Sequence, residues 1–341
     1  MHCSNWEVRL AIGIATTCWA FGCPDRPSSA AAPTRDWKTS PAVVELSTTE
    51  DILALGDVHG DYERLVRLLA AAGVIAPAPA RPADVQWTAG KAVLVCTGDL
   101  IDKGNQNLDV IAAFQAMQAG ATQAGGRVIV TMGNHEAMFL AYGARDRHAD
   151  TFLDELHSRK IEPEQVVAGR DALGVGRLLN AMPIAVQVND WFFAHAGNPG
   201  PRTMAELRDG LQREIDAKGY TADLVLDPHS VLEARLTPTP WWEHEGESPD
   251  ASQVRLRKVL SQLGARHMVI GHTPGKVKFA GGADRKHGEP YVVFDGLLFL
   301  NDVGMSRAIN DSEGVLLRIR PGGDVTAIYP DGSRRSLWTG R

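Results

Sequence analysis

The chain has 341 residues, enough for one large domain or two modest ones, and its 44% hydrophobic content is that of a soluble globular protein. A net charge of -6 with no cluster of Lys and Arg argues against a nucleic-acid partner. Of four cysteines three precede residue 24, so no disulfide framework is expected for the folded body, and Cys96 at the end of an apolar run reads as a small core residue.

Residues 1–23 read as an export signal. Arg9 precedes an apolar run over 10–20, and Ala20-Phe21-Gly22-Cys23 follows with small residues at the positions that matter for cleavage. The segment resembles a bacterial lipoprotein signal in which Cys23 would be lipidated, although Ala20 replaces the usual Leu and Glu7 offsets Arg9. A plain signal peptide, or a start placed too early, is the alternative. The expected location is periplasmic or membrane-anchored, with no later run long enough to span a bilayer.

Residues 24–47 are rich in Pro, Ser, Ala and Thr and read as a disordered tether. The catalytic body is expected over 48–325, with cap insertions at about 143–188 and 198–262 and a tail over 326–341. A strand is expected at 51–55. A helix over 61–72 carries Leu65, Leu68, Leu69 and Ala72 at helical spacing, with Gly73 as C-cap. Strand 92–96, helix 108–117, strand 127–132 and a helix from 136 follow, then strands at 191–194, 268–270 and 291–300. The early alternation predicts parallel strands with crossover helices. The later strands would form a second sheet. The expected class is therefore α/β, a central β-sandwich of two mixed sheets flanked by helices.

Five short motifs each follow an apolar run: Gly56-Asp57-Val58-His59-Gly60, Gly98-Asp99-Leu100-Ile101-Asp102-Lys103-Gly104, Gly133-Asn134-His135-Glu136, His195-Ala196-Gly197 and Gly271-His272-Thr273. Three sit at the carboxyl ends of the predicted parallel strands, where open α/β sheets place ligands. Asp57 and His59 can face one cation. Asp99 can bridge to a second, to which Asn134 offers a carbonyl oxygen and His195 and His272 offer imidazoles. Mixed N and O donors suit Mn, Fe or Zn better than Ca. A lone His is more often a core or surface residue, and His148, His157, His229 and His287 are read that way. The conjunction of five motifs carries the argument: two divalent cations held together favour in-line attack of a metal-bound hydroxide on a phosphate ester.

These residues resemble the calcineurin-like metallophosphoesterase superfamily over about residues 50–320. Gly133-Asn134-His135-Glu136 and the loop from Gly98 to Gly104 are similar to its phosphoprotein-phosphatase branch, and Asp302-Val303-Gly304-Met305-Ser306 to bacterial Shewanella-like protein phosphatases. The resemblance implies one metal on Asp57, His59 and Asp99, and another on Asp99, Asn134, His195 and His272. It implies His135 as general acid, with Asp102 orienting it. Two departures stand out: Lys103 where Arg is usual, and Glu243 within Pro240-Trp241-Trp242-Glu243-His244 where Arg is expected. Arg202, Arg235 or His244 could replace the second phosphate clamp. Trp241 and Trp242 read equally well as a packed cap or a substrate-facing wall. Pro274 stands after Thr273, so the second His of a Gly-His-x-His diesterase motif is missing.

The expected function is a dinuclear phosphomonoesterase acting on a phosphorylated small molecule or phosphoprotein, with Lys103 neutralising a phosphate oxygen. The alternatives are a hydrolase of diadenosine tetraphosphate or a related pyrophosphate, and a non-catalytic phosphate-ligand binding protein on the same fold.

Overall fold

The computed structural model describes residues 35–280 and 284–340. The export signal and lipidation site expected over residues 1–23 lie outside them. In chain order the first half holds β1 (Val43–Leu46), β2 (Ile52–Leu55), α1 (Tyr62–Ala71), β3 (Val93–Cys96), α2 (Asn107–Ala124), β4 (Arg127–Val130) and α3 (Asn134–Tyr142). Next come α4 (Asp150–Ser158), α5 (Pro163–Val167), α6 (Val175–Ala181), β5 (Ala185–Val188), β6 (Trp191–Ala194), α7 (Met204–Lys218), α8 (Asp223–Leu226) and α9 (Pro249–Leu263). The last part holds β7 (His267–Ile270), β8 (Val277–Lys278), β9 (Asp284–Arg285), β10 (Tyr291–Val293), β11 (Leu298–Leu300), β12 (Leu316–Ile319), β13 (Val325–Ile328) and β14 (Arg334–Trp338).

Two six-stranded mixed sheets face each other, ordered β1-β5-β6-β7-β11-β10 and β14-β13-β12-β2-β3-β4, with β8-β9 as a separate pair. The strands β2, β3 and β4 are parallel and joined through α1 and α2, as the alternation predicts. Their side chains are buried on both faces. In β2, Ile52 and Ala54 point into the layer between the sheets, with Val93, Val95, Phe193, Val269 and Leu317. Leu53 and Leu55 point outward to the helices, onto Leu65, Leu68 and Phe114. A strand covered on both sides reads as a continuous apolar run, which is why Ile-Leu-Ala-Leu and Val-Leu-Val-Cys were visible as strands. The side chain of Asp61 caps α1 by accepting from Arg64 N at 3.2 Å.

Four boundaries differ from the expectation. The body starts before residue 48: β1 pairs in parallel with β5, and Arg35 donates to the Met182 carbonyl at 2.7 Å. Sheet pairing of a short Val-rich strand outweighs the surrounding Pro- and Ser-rich composition. The tail expected over 326–341 contains most of β13 and all of β14, which extend the second sheet. The single strand expected at 291–300 is a hairpin of β10 and β11 turning at Phe294-Asp295-Gly296. The first cap ends before β5, whose residues belong to the sheet.

Candidate metal centre

Each ligand-bearing loop leaves the carboxyl end of a strand, and the backbone there is tightly turned. Five non-glycine site residues have positive φ: His59 (45°), Asp99 (49°), Asp102 (74°), Lys103 (66°) and His272 (65°). Such conformations cost of order 1–3 kcal/mol each and persist where surrounding contacts over-determine them. Glycines make the loops fit together. A side chain at Gly133 would overlap the Asp99 carboxylate, and one at Gly271 would overlap Asp57.

The structure brings all six expected ligands together. Asp57, His59, Asp99, Asn134, His195 and His272 are all buried. His59 Nε2 and His195 Nε2 each lie 3.4 Å from Asp99 Oδ2, on its two sides. His195 Nε2 is 3.0 Å from Asn134 Oδ1. Asp57 accepts from His272 N at 3.1 Å and approaches His195 Nδ1 at 3.9 Å. His59, Asp99 and His135 can converge on one cation, as can Asp99, His195 and His272.

The outer hydrogen bonds set the tautomers. His59 Nδ1 donates to the Ile101 carbonyl at 3.1 Å, His195 Nδ1 to Thr97 at 2.8 Å, and His272 Nε2 to Glu233 at 3.3 Å. Each imidazole therefore turns its remaining nitrogen inward, the arrangement that orients metal-binding histidines. His195 Nε2 and His272 Nδ1 then face each other at 2.9 Å. Two ring nitrogens at that separation need a cation or a proton between them. Burial holds His59 down at about 4 and His272 well below the usual histidine range, so both are neutral at pH 7. Burial, then the Asp302 and Asp99 carboxylates, push Asp57 well above the ordinary value. Burial alone would raise Asp99, but His195 and His135 hold it well below the ordinary value, and against its own burial His195 is in turn raised by Asp99. This crowd of buried carboxylates and inward-facing imidazoles fits a pair of divalent cations in charge and donor type.

Beside it, His135 Nδ1 stands 2.9 Å from Asp102 Oδ2, and Thr151 Oγ1 donates to Asp102 Oδ1 at 3.2 Å. Lys103 is exposed at the rim, close enough to oppose the charge on His135. Of the three clamp candidates, Arg235 reaches the centre, with Nη1 donating to the His272 carbonyl at 3.3 Å. Arg202 folds back on the Pro199 carbonyl, and His244 is exposed. Glu243 is part of the cap interior, accepting from Ser252 Oγ at 3.2 Å and Ala280 N at 3.0 Å. Trp242 is buried and stacks on Phe279, which makes it cap packing, while Trp241 is half-buried beside it. His148, His157, His229 and His287 are exposed.

Three further residues had no role in the sequence reading. Glu136 is fully buried and accepts from the backbone N–H of Asp99, Leu100, Ile101 and Gly133 at 2.7–3.2 Å, tying two ligand loops together. Its position three residues after Gly133 is a capping-box position and was the available signal. Asp302 is buried against Asp57 and accepts from Gly304 N at 2.8 Å. Arg285, also buried, donates to the carbonyls of Thr273, Asp302 and Glu289, fastening the His272 loop to the Asp302 loop. No local pattern announces Arg285.

The model of the calcineurin-like phosphoesterase family matches residues 51–276, which contain all five motifs. Shewanella-like protein phosphatase 1 of Plasmodium berghei is 25% identical, covering 76% of this chain and 68% of its own. A symmetrical bis(5'-nucleosyl)-tetraphosphatase of Methylococcus capsulatus is 28% identical over 176 residues, about half of each chain at 51% and 52%. A solved structure of a cold-active protein tyrosine phosphatase superposes with a TM-score of 0.65 over 87% of this chain and 82% of its own, at 19% identity. With its ligand loops inside the matched span and its sandwich shared with that structure, the chain belongs to the calcineurin-like phosphoesterase family and is a metal-dependent phosphatase.

Proposed function

We propose that the protein is a phosphomonoesterase that removes phosphate from esters, phosphorylated protein among them, at a centre of two divalent cations. One observation carries the reading: His195 Nε2 and His272 Nδ1 meet at 2.9 Å among buried carboxylates, next to the His135–Asp102 pair. Asp57, His59 and Asp99 would hold one cation and Asp99, Asn134, His195 and His272 the other. The mixed donor set favours Mn, Fe or Zn. When bound, the cations supply Lewis acidity to the phosphoryl oxygens and a nucleophile at neutral pH.

The remaining steps belong to the chain. Asp102 engages His135 Nδ1, so protonated His135 presents its Nε2–H to the departing oxygen and neutralises the alkoxide as it forms. Lys103 offsets charge on an equatorial oxygen as a point charge, and Arg235 supplies a second cation from the cap. The name of the Plasmodium relative supports a phosphoprotein substrate. The tetraphosphatase relative favours a second reading, hydrolysis of a dinucleoside tetraphosphate through the same ligands. Export through residues 1–23, with Cys23 lipidated and the body in the periplasm or at the membrane, completes the proposal.

The test is a screen of metal-reconstituted protein against phosphopeptides, nucleotides, diadenosine tetraphosphate and an aryl phosphate. Metal-dependent phosphate release from monoesters is expected. Folded, metal-loaded protein that releases none refutes the reading. Fractionation of cells expressing the full chain and its Cys23→Ser variant tests the anchor: both remaining in the cytosol would refute export.

A further inference from the structure

A cavity lies at the pole of the sandwich opposite the metal centre. Strand register places it there. Strand β6 starts at Trp191 and runs to Ala194, just before His195, while β7 starts at His267 and runs to Ile270, two residues before His272. Trp191 pairs with His267. Each strand thus carries a metal-site imidazole beyond one end and an aromatic ring at the other, separated by roughly 13–17 Å of extended chain. A cavity of about 600 Å³ opens around the starting ends.

Three features set it apart from an ordinary seam between sheets. The first is backbone strain. Of the ten described non-glycine residues with positive φ, five are in the metal-centre loops and three (Asn189, Phe294 and Asp295) line this cavity. A bulky residue such as Phe294 at φ 50° is a real outlier, and such residues gather where a fold holds a geometry for use.

The second is an aromatic wall. The His267 ring stacks on Trp191 at 4.3 Å and 24°, and lies 5.1 Å from Trp338. The Trp338 indole N–H donates to Asp295 at 3.0 Å, and a side chain at Gly296 would overlap its ring. The strained turn therefore seats Trp338. His267 Nδ1 donates to the Gly296 carbonyl at 2.7 Å, leaving Nε2 as an acceptor.

The third is charge. Arg266 is paired with Asp190, and Asp295 with the Trp338 indole. Arg257 from α9 and Arg320 from just beyond β12 line the same cavity and make no ion pair among the described residues. Glu50 and Asp295 line it as well, neither in an ion pair among the described residues, since the indole N–H that Asp295 accepts carries no charge. Two guanidinium groups outside any ion pair, next to packed rings, can hold the single anionic group of a ligand with a flat apolar body.

We propose that this cavity is a binding site for an aromatic anion, its ring against Trp338 and His267 and its charged group held by Arg257 and Arg320. Nothing in the site requires the metal centre, so binding is independent of the hydrolytic reaction.

The probe is 1-naphthalenesulfonate, which a phosphatase cannot hydrolyse, titrated by calorimetry into the full chain. Saturable binding at one site is expected. The variants Arg257→Gln and Arg320→Gln, both at exposed positions, should each weaken it about tenfold. Their melting temperature and their hydrolysis of p-nitrophenyl phosphate should not change. The uncharged analogue 1-naphthalenemethanol and inorganic sulfate should each bind at least about tenfold more weakly than the probe. Absence of saturable binding overturns the proposal. So does unchanged affinity in both variants, or equal affinity for either half-ligand.

Discussion

His135 Nδ1 and Asp102 Oδ2 meet at 2.9 Å with both side chains buried, next to Asp99. Burial disfavours charge on His135, but the Asp99 and Asp102 carboxylates outweigh it and hold its pKa above the ordinary histidine value. With Asp99 committed to the cations, Asp102 is the carboxylate left to hold a proton on His135 for the leaving oxygen. His135→Ala is expected to lower kcat for an alkyl phosphate by roughly 10²–10⁴ and for p-nitrophenyl phosphate by much less, since a nitrophenolate leaves without a proton. Metal content should be unchanged. Because His135 also lies within reach of a cation shared with His59 and Asp99, loss of one metal equivalent in the variant would make it a ligand and remove it from the acid role.

Glu136 is expected to matter as much for metal retention as for stability. Its two oxygens accept four backbone N–H groups from two ligand loops. Glu136→Gln replaces an acceptor with an amide group that points hydrogens at hydrogens. Breaking a buried network in this way costs about 3 kcal/mol. The variant should melt lower and retain less metal after dialysis, both read on the same sample. A melting curve superimposable on the wild type would show that the loops hold themselves.

The metal centre was legible because each ligand closes a strand buried on both faces, so an apolar run announces the place and a polar residue announces the role. Asp57 after Ile52–Leu55 and Asp99 after Val93–Cys96 are of this kind. Glu136, Asp302 and Arg285 act on backbone groups or on another ligand's carboxylate, and such partners are set by the fold rather than by neighbours in sequence. Elements were lost for similar reasons. Strand β1 exists because β5 pairs with it across more than a hundred residues, and exposed Arg334, Arg335 and Ser336 hide β14 at a sheet edge. The hairpin of β10 and β11 looks like one strand in sequence because its turn begins with Phe294, a residue that disfavours the conformation it adopts.

Arg285 links the His272 loop to Asp302 through carbonyl groups and faces Asp302 and Asp57 as the nearby positive charge. Arg285→Met leaves those carbonyls and carboxylates uncompensated, at a cost of about 3–5 kcal/mol. Arg285→Lys should recover part of the stability but not the bridging between loops. The discriminating measurement is metal affinity of the two variants by competition with a fluorescent chelator. Equal affinity to wild type in Arg285→Met would confine the residue to packing.

Removal of metal should expose the charge crowding. Asp57, Asp99 and Asp302 remain buried together without a cation, and His195 Nε2 and His272 Nδ1 stay at 2.9 Å with no metal between them. Excess Mn or Zn at 100 times its dissociation constant should raise stability over the chelated protein by about 2.7 kcal/mol. The check is thermal melting with and without chelator. Identical curves would mean that the centre binds no metal under those conditions.

The His267 ring gives a pH dependence away from the metal. Burial holds its pKa below the ordinary 6.5, against the Gly296 carbonyl bond and Asp190, which raise it. A depressed folded pKa means that the unfolded chain binds the proton first. Its contribution to stability is therefore full above the unfolded value near 6.5 and is lost as pH falls through the lower folded value. His267→Phe preserves a ring against Trp191 and has no such titration. Urea unfolding of both proteins at pH 7.5 and at successively lower pH isolates the term as a difference. The wild type should lose more stability than the variant as the pH drops below 6.5. Parallel losses in the two proteins would show that His267 titrates alike folded and unfolded.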